Sequence, residues 1–380
     1  MVQFKSLRRP ARLVSFSLLL ALLATATVLM TAVRQPVFGQ SAPPAAPMLD
    51  AGTIYDRMTD SVVRIEATGG DGTAFLGDTD LGALQDRLPR ALRNQMQEEF
   101  ANGRRGSGFF FDNVGHIATS NHVVDGAETI HVVFTDGTFA AAEVVGQDPH
   151  SNLAILAVPD LDRTIAPLPV ADSAALRIGD SIFAFGYPGN LFGTLTQGLV
   201  SGFETGPARE TGYSVPNMIL SNLNLLPGHA GGPLVNAAGE VIGIANGRLQ
   251  GFMGEGSLSR NVPASMLTRV APNLIANGSV TYPQLGLSGG NLSIEQASEI
   301  GLGTIHAGAF VNRLQPDGPA ASGGIEEGDI VVSLGGNQVR TFSEMVAMLI
   351  LDYHAGDEVS VGVLRDGETI DLTVTLGERS

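Results

Sequence analysis

The chain has 380 residues, no cysteine and a formal charge of −16. Its length allows two or three domains with real cores, and the missing cysteine excludes disulfides, thiolate–zinc centres and a cysteine nucleophile. The acidic balance argues against nucleic acid or an anionic membrane surface as a partner.

Lys5, Arg8, Arg9 and Arg12 precede an uncharged apolar run from Leu13 to Val33, closed by Arg34. A basic segment before an apolar one is an export signal. The run is close to the ~20 residues that span a bilayer, so two outcomes stay open: cleavage after Gly39, or a retained anchor over 13–33. Cleavage would remove five basic and no acidic residues, taking the charge to −21. The Pro/Ala stretch from Ser41 to Pro47 lies in a linker over 40–49. A first strand is expected over Val62–Ala67. After it, Leu81, Leu84, Leu88, Leu92, Met96 and Phe100 are spaced for one face of a helix, giving an inserted helix over 79–101 that Pro89 starts or kinks. That face packs on its own domain or docks on a partner subunit.

From Gly106 onward the pattern is β. Phe109–Phe111, Ile117–Thr119, a hairpin of Ile130–Phe134 and Phe139–Val145 around Asp136-Gly137, and a buried strand at Leu153–Val158 form one group. Ser181–Gly186, Leu195–Gly202, Met218–Asn222, Leu234-Val235 and Val241–Ala245 form a second. Two such groups suit two small packed barrels. A polar break near Asn273–Gly278 then separates a last unit. The expected domains are 50–275 and 282–377, joined by a linker at 276–281.

Three segments carry the pattern of nucleophilic catalysis, which needs a hydroxyl, an imidazole and a carboxylate to orient it. Gly106-Ser107-Gly108-Phe109 and Thr119-Ser120-Asn121-His122-Val123-Val124 place His122 at the base position. Asp148-Pro149-His150-Ser151-Asn152-Leu153-Ala154 puts Asn152 where the carboxylate belongs. Pro227-Gly228-His229-Ala230-Gly231-Gly232-Pro233-Leu234 puts Ala230 at the nucleophile. Together they resemble the trypsin-like HtrA (DegP-type) proteases, whose loops read T-N-N-H-V-V, D-L-A and P-G-N-S-G-G-P-L.

On that resemblance His122 is the general base, and the Gly228 and Ala230 N–H groups line an oxyanion hole, which needs no side chain. Asn152 lacks the charge that stabilises an imidazolium and can impose the wrong tautomer, a change that costs ~10⁴ in turnover in the well-studied triad. Asp148 lies four residues earlier, roughly 13 Å away in extended chain, and is a poor substitute. Ser221 and His229 are alternative nucleophiles that nothing else in the sequence marks. Ser259-Arg260-Asn261-Val262-Pro263 aligns with the G-F-A-I-P that lines the family's specificity pocket, where the charged Arg260 is out of keeping.

Residues 282 to about 377 resemble the PDZ domain that follows this protease. Pro319-Ala320-Ala321-Ser322-Gly323-Gly324-Ile325 and Gly328-Asp329-Ile330 carry the match: a helix ended by glycines, then a tight turn into a strand. Leu285, Gly286 and Leu287 stand at the carboxylate-cradling loop, and a helix over Thr341–Tyr353 brings Val346 and Ile350 to the groove. An extended peptide would add there as a β-strand.

The fold class expected is therefore mostly β: a trypsin-like double β-barrel followed by an α+β PDZ domain. The resemblance implies an exported, periplasmic or envelope protein with a degraded Ser-His-Asp triad that binds extended, unfolded or C-terminal polypeptides in protein quality control. It implies a trimer-based homo-oligomer or a hetero-oligomer with an active paralogue. A weak endopeptidase and a PDZ scaffold for one partner's C-terminus remain alternatives. No cofactor or metal is expected, since the seven histidines show no ligand spacing.

Overall fold

The computed structural model describes residues 49–69, 104–189, 191, 193–206, 214–246, 258–299 and 308–379. The export segment, most of the linker after it and the helix expected over 79–101 lie outside these residues. A short helix, Ala51–Thr59, opens the described chain; the Asp50 carboxylate caps it by accepting the Thr53 N–H at 3.0 Å. Its buried Ile54 and Met58 pack into a core shared by both barrels.

The first barrel closes in the order β1-β2-β3-β6-β5-β4. Its strands are β1 Val62–Thr68, β2 Arg104–Phe110, β3 Ile117–Ser120, β4 Thr129–Val133, β5 Phe139–Asp148 and β6 Leu153–Ala157. The second closes as β10-β11-β12-β9-β8-β7. It is built from β7 Ser181–Gly186, β8 Thr194–Gly206, β9 Val215–Ser221, β10 Pro233–Asn236, β11 Val241–Ile244 and β12 Ser259–Pro263. Closure removes the strand edges that open sheets expose, and each barrel has an apolar interior of its own.

The polar break read near Asn273 is not a break. Residues Ala264–Asn277 form one helix, Pro272 included, which ends at Gly278 in the left-handed region (φ 77°). Met266, Leu267, Val270 and Leu274 bury one face in the shared core, and that packing outweighs the polar residues of the other.

The last domain pairs β13 Tyr282–Gln284 with β20 Gly377–Arg379. Its main sheet runs β14-β15-β16-β18-β19, with β17 beside β16. The strands are β14 Leu287–Asn291, β15 Ala309–Leu314, β16 Ile330–Leu334, β17 Asn337–Gln338, β18 Glu358–Arg365 and β19 Glu368–Thr375. Short helices cover Ile294–Glu299 and Pro319–Ser322. The groove helix runs Phe342–Asp352, with Thr341 Oγ1 accepting the Glu344 N–H at 3.0 Å as its cap. This is a PDZ domain behind a double barrel of trypsin type.

The two parts are docked. Ile350 and Leu351 of the groove helix pack against the shared barrel core. From the Ala264–Asn277 helix, Arg269 donates to the carbonyls of Ile350 (3.1 Å) and Tyr353 (3.0 Å), neutralising the end of the groove helix where carbonyls lack partners.

Candidate active-site cleft and peptide groove

His122 sits in a single helical turn, Asn121–Val124, directly after β3, and is 5% exposed. Asn152 lies in the turn directly before β6, fully buried with φ 58°, a left-handed conformation that asparagine and aspartate tolerate best among residues with a side chain. The exchange of acid for amide therefore leaves the backbone undisturbed.

The orientation of that amide follows from its neighbours. Asn152 Oδ1 lies 3.1 Å from the His122 main-chain N–H, which can only donate, and 3.0 Å from His122 Nδ1. Asn152 Nδ2 donates to Asn246 Oδ1 at 2.9 Å. The oxygen thus faces the imidazole, so Nδ1 carries the hydrogen and Nε2 is the basic nitrogen. The wrong tautomer anticipated for an amide is not the one held here. What is missing is the charge: a neutral carbonyl stabilises an imidazolium far less than a carboxylate does.

Ala230 is fully buried and packs with the first barrel's core, near Val123. The loop around it is held by groups that ignore its side chain. The Ser107 N–H donates to the Ala230 carbonyl (2.7 Å), and the Ser107 hydroxyl donates to the Gly228 carbonyl (2.7 Å) while accepting the Tyr187 N–H (3.0 Å). Gly231 has φ +82°, and a Cβ there would stand 2.3 Å from both Ser107 O and Thr119 Oγ1. Only glycine fits.

The segment expected to line the oxyanion hole is wound into a tight turn. Pro227–His229 winds as a 3₁₀ turn, with the His229 N–H closing on the Leu226 carbonyl at 2.9 Å.

Neither alternative nucleophile is placed for chemistry. His229 Nδ1 accepts the Leu226 N–H (3.1 Å) and Nε2 meets Thr194 Oγ1 (3.1 Å), whose own hydrogen goes to the Gly186 carbonyl. Burial holds this imidazole below its ordinary pKa, so it stays neutral. Ser221 is buried against Ser259, 2.5 Å between hydroxyls.

Arg260 does not enter the specificity pocket either. Strand alternation turns Ser259 and Asn261 inward and Arg260 outward, where its Nε meets Glu204 at 2.5 Å. Asn261 Nδ2 donates to the Ile219 carbonyl at 3.1 Å, so the position is polar from within rather than charged. Asp148, set aside as a triad substitute, has other work. Its carboxylate accepts the His150 N–H (3.1 Å), the Ser151 N–H (3.3 Å) and the hydroxyls of Ser151 and Tyr282. Burial and that carboxylate push the Tyr282 hydroxyl pKa upward, keeping it a donor.

In the last domain, Leu285, Gly286, Leu287, Val346 and Ile350 all line one cavity of about 490 Å³. The Leu285 side chain is itself core, 3% exposed, so only its backbone belongs to the loop's surface. The Leu285 carbonyl accepts from Ala320 N–H (2.7 Å) and the Gly286 carbonyl from Gln315 N–H (2.8 Å). Each trans peptide then points its N–H, those of Gly286 and Leu287, the other way. Gly286 makes the turn at φ +70°. β14 is the edge strand of its sheet among the described residues. Three contributors escaped the sequence: Ser107, whose motif was visible but whose role was not, and Asn246 and Tyr282, which carry no local signal.

Residues 106–244 match the family model of the trypsin-like peptidase domain, and residues 287–376 match that of the PDZ domain. The chain is 33% identical over 276 residues to periplasmic serine endoprotease DegP of Salmonella typhimurium, covering 72% of this chain and 57% of that one. It is 32% identical over 350 residues to a probable periplasmic DegP-like serine endoprotease of Marinomonas sp. (88% and 72%). Against the serine protease Do-like HtrA of Bacillus subtilis it is 30% identical over 321 residues (80% and 71%). Among solved structures, the HtrA-type protease AlgW with a tripeptide superposes with a TM-score of 0.67 at 27% identity, over 87% of this chain and 97% of that one.

Proposed function

Since the chain belongs to the HtrA family, we propose that it is a member that holds extended or unfolded polypeptide in the cell envelope without cutting it, as a chaperone-like or regulatory subunit. The observation that carries this reading is Ala230: the loop keeps its glycines and its supporting hydrogen bonds, yet the attacking oxygen is a methyl. No acyl intermediate can form on it. Asn152 adds a second deficit, because no carboxylate stands behind the imidazole.

Binding stays available without catalysis. The exposed edge of β14, the Leu285–Leu287 loop and the Phe342–Asp352 helix together have the form that captures a chain terminus by strand addition. The export signal and the periplasmic relatives support an envelope location. Assembly into trimers, or with an active paralogue, follows from the family alone. Among the described residues no helix is long and apolar enough to cross a membrane.

The test uses purified full-length protein, unfolded casein and a serine-directed phosphonate. No labelling is expected, and no cleavage above a His122→Ala control. A covalent adduct on the unmodified protein overturns the reading.

A further inference from the structure

The groove helix Phe342–Asp352 borders a cavity on each of two faces. Val346 and Ile350 line the one described above; Glu344, Met348 and Leu351, spaced four and three residues apart, line the other. This second cavity measures about 760 Å³ and lies between the domains, with β8 and β9 of the second barrel as its far wall. That wall is irregular: the β8–β9 ladder shifts register between Glu204 and Gly206, and Asn217 on β9 is left-handed at φ 52°. A bulge re-aims side chains, and Thr205, inside it, gives its hydroxyl to the Ser343 carbonyl at 3.4 Å, tying the two walls together. Phe203 lines the cavity 38% exposed, so both walls carry apolar surface: Phe203 on one, Met348 and Leu351 on the other.

Its polar groups are not balanced. Glu204 is engaged by Arg260 Nε at 2.5 Å, and Glu344 accepts both the Arg340 N–H (2.8 Å) and the Arg340 guanidinium (3.3 Å). Asp352, a third carboxylate lining the cavity, has no ion pair or hydrogen bond among the described residues. It is also the last residue of its helix, where unpaired carbonyls and the negative end of the dipole disfavour a further anion. Arg269, which reaches that end, spends its contacts on the carbonyls of Ile350 and Tyr353.

We infer that this cavity is a second contact site for polypeptide, one that takes a lysine or arginine side chain next to an apolar residue. The cation meets Asp352, while its methylene stem and the apolar neighbour cover Phe203, Met348 and Leu351. A cavity of this size between domains, apolar with a few fixed polar groups, is the usual form of a ligand site.

The inference rests on the chain being a holder of unfolded polypeptide, and adds which internal segments it prefers. A chain of formal charge −16 attracts basic segments from a distance, and the cavity adds the apolar contact that diffuse charge lacks. No chain terminus is needed, so the site is distinct from the groove on the other face of the helix.

The probe is a fluorescein-labelled nonapeptide ending in an amide, with a Gly/Ser background and a central Lys-Leu or Arg-Phe pair; Glu-Leu and Lys-Ser versions are its controls. Titrated onto the full chain by anisotropy, the basic-apolar peptides are expected to bind about tenfold more tightly than either control. Asp352→Asn and Phe203→Ser each lower that affinity by about three- to tenfold. Raising salt from about 50 to about 300 mM weakens binding to the wild type more than to Asp352→Asn. Both side chains are exposed, and urea midpoints report whether either variant perturbs folding. Affinity unchanged in both variants, or a Lys-Ser peptide bound as tightly as Lys-Leu, overturns the cavity site. Retention of unfolded casein is measured alongside. Casein held by the wild type while the basic-apolar peptides fail to bind defeats the site alone; casein not held defeats the holding function, and this inference with it.

Discussion

The candidate cleft and the peptide groove lie in one docked body but rest on different kinds of group: side chains in the first, backbone in the second. In the cleft, the loop framework is in place while Ala230 and Asn152 stand where the family's loops carry a serine and an aspartate. Gly231 still occupies a position no other residue fits, Ser107 still ties the loop at both ends, and His122 still stands at its place after β3. Yet the nucleophile is a methyl and the orienting acid an amide. In the groove, framework and binding groups coincide, because the donors are backbone N–H groups that no side-chain substitution removes. Chemistry carried by side chains can drift away while the fold stays; chemistry carried by backbone is lost only with the fold.

The sharpest test of that contrast is restoration. Ala230→Ser and the pair Ala230→Ser with Asn152→Asp share every feature except the carboxylate. Because Asn152 already holds the correct tautomer, the pair is expected to exceed the single variant by less than the ~10⁴-fold that a mis-set tautomer costs. Rates of phosphonate labelling and casein cleavage measure the gap. A gap of ~10⁴ or more would mean the amide is turned the other way in solution.

Next comes the framework. Gly231→Ala forces a side chain into a left-handed position and against Ser107 and Thr119, a loss of about 3 kcal/mol read as a urea midpoint. An unchanged midpoint would show that the loop is not rigid. Arg269→Ala removes the two hydrogen bonds that tie the last turn of the groove helix to the helix behind the barrels, and leaves the Thr205 hydroxyl on the Ser343 carbonyl at the other end. About 1–2 kcal/mol of docking should go, seen as faster amide exchange over residues 342–353 and not within the barrels. Thr341→Ala, which uncaps the same helix at its other end, is expected to cost about 1 kcal/mol.

The smallest effect is a pH dependence. His229 is buried neutral, with its folded pKa below the unfolded value of about 6.5. Stability is full above that value and falls as pH drops from it toward the folded pKa, because the unfolded chain takes the proton first. His229→Asn should flatten urea midpoints between pH 7 and 5. A wild-type midpoint constant over that range would contradict the burial.

Much of this protein was legible without a structure. Two groups of strands, the three catalytic segments, the glycine-closed turn of the PDZ domain and the groove helix all follow from local pattern, and each is within a few residues of where it lies. Local pattern failed where distant packing decided the outcome. The end of the Ala264–Asn277 helix reads as a break because Asn273–Gly278 is polar and ends in glycine, while the apolar stripe that holds the helix has meaning only against two barrels.

What the chain determined by itself is which atoms exist: no hydroxyl at 230, no carboxylate at 152, an imidazole at 122. What the tertiary structure alone decided is where the remaining ones point. The Asn152 oxygen is turned by a main-chain N–H thirty residues away, Arg260 faces out because its strand curls round a barrel, and Arg269 reaches the end of the groove helix only because two domains close on each other. Direction is a property of packing, and packing joins residues that the sequence holds apart.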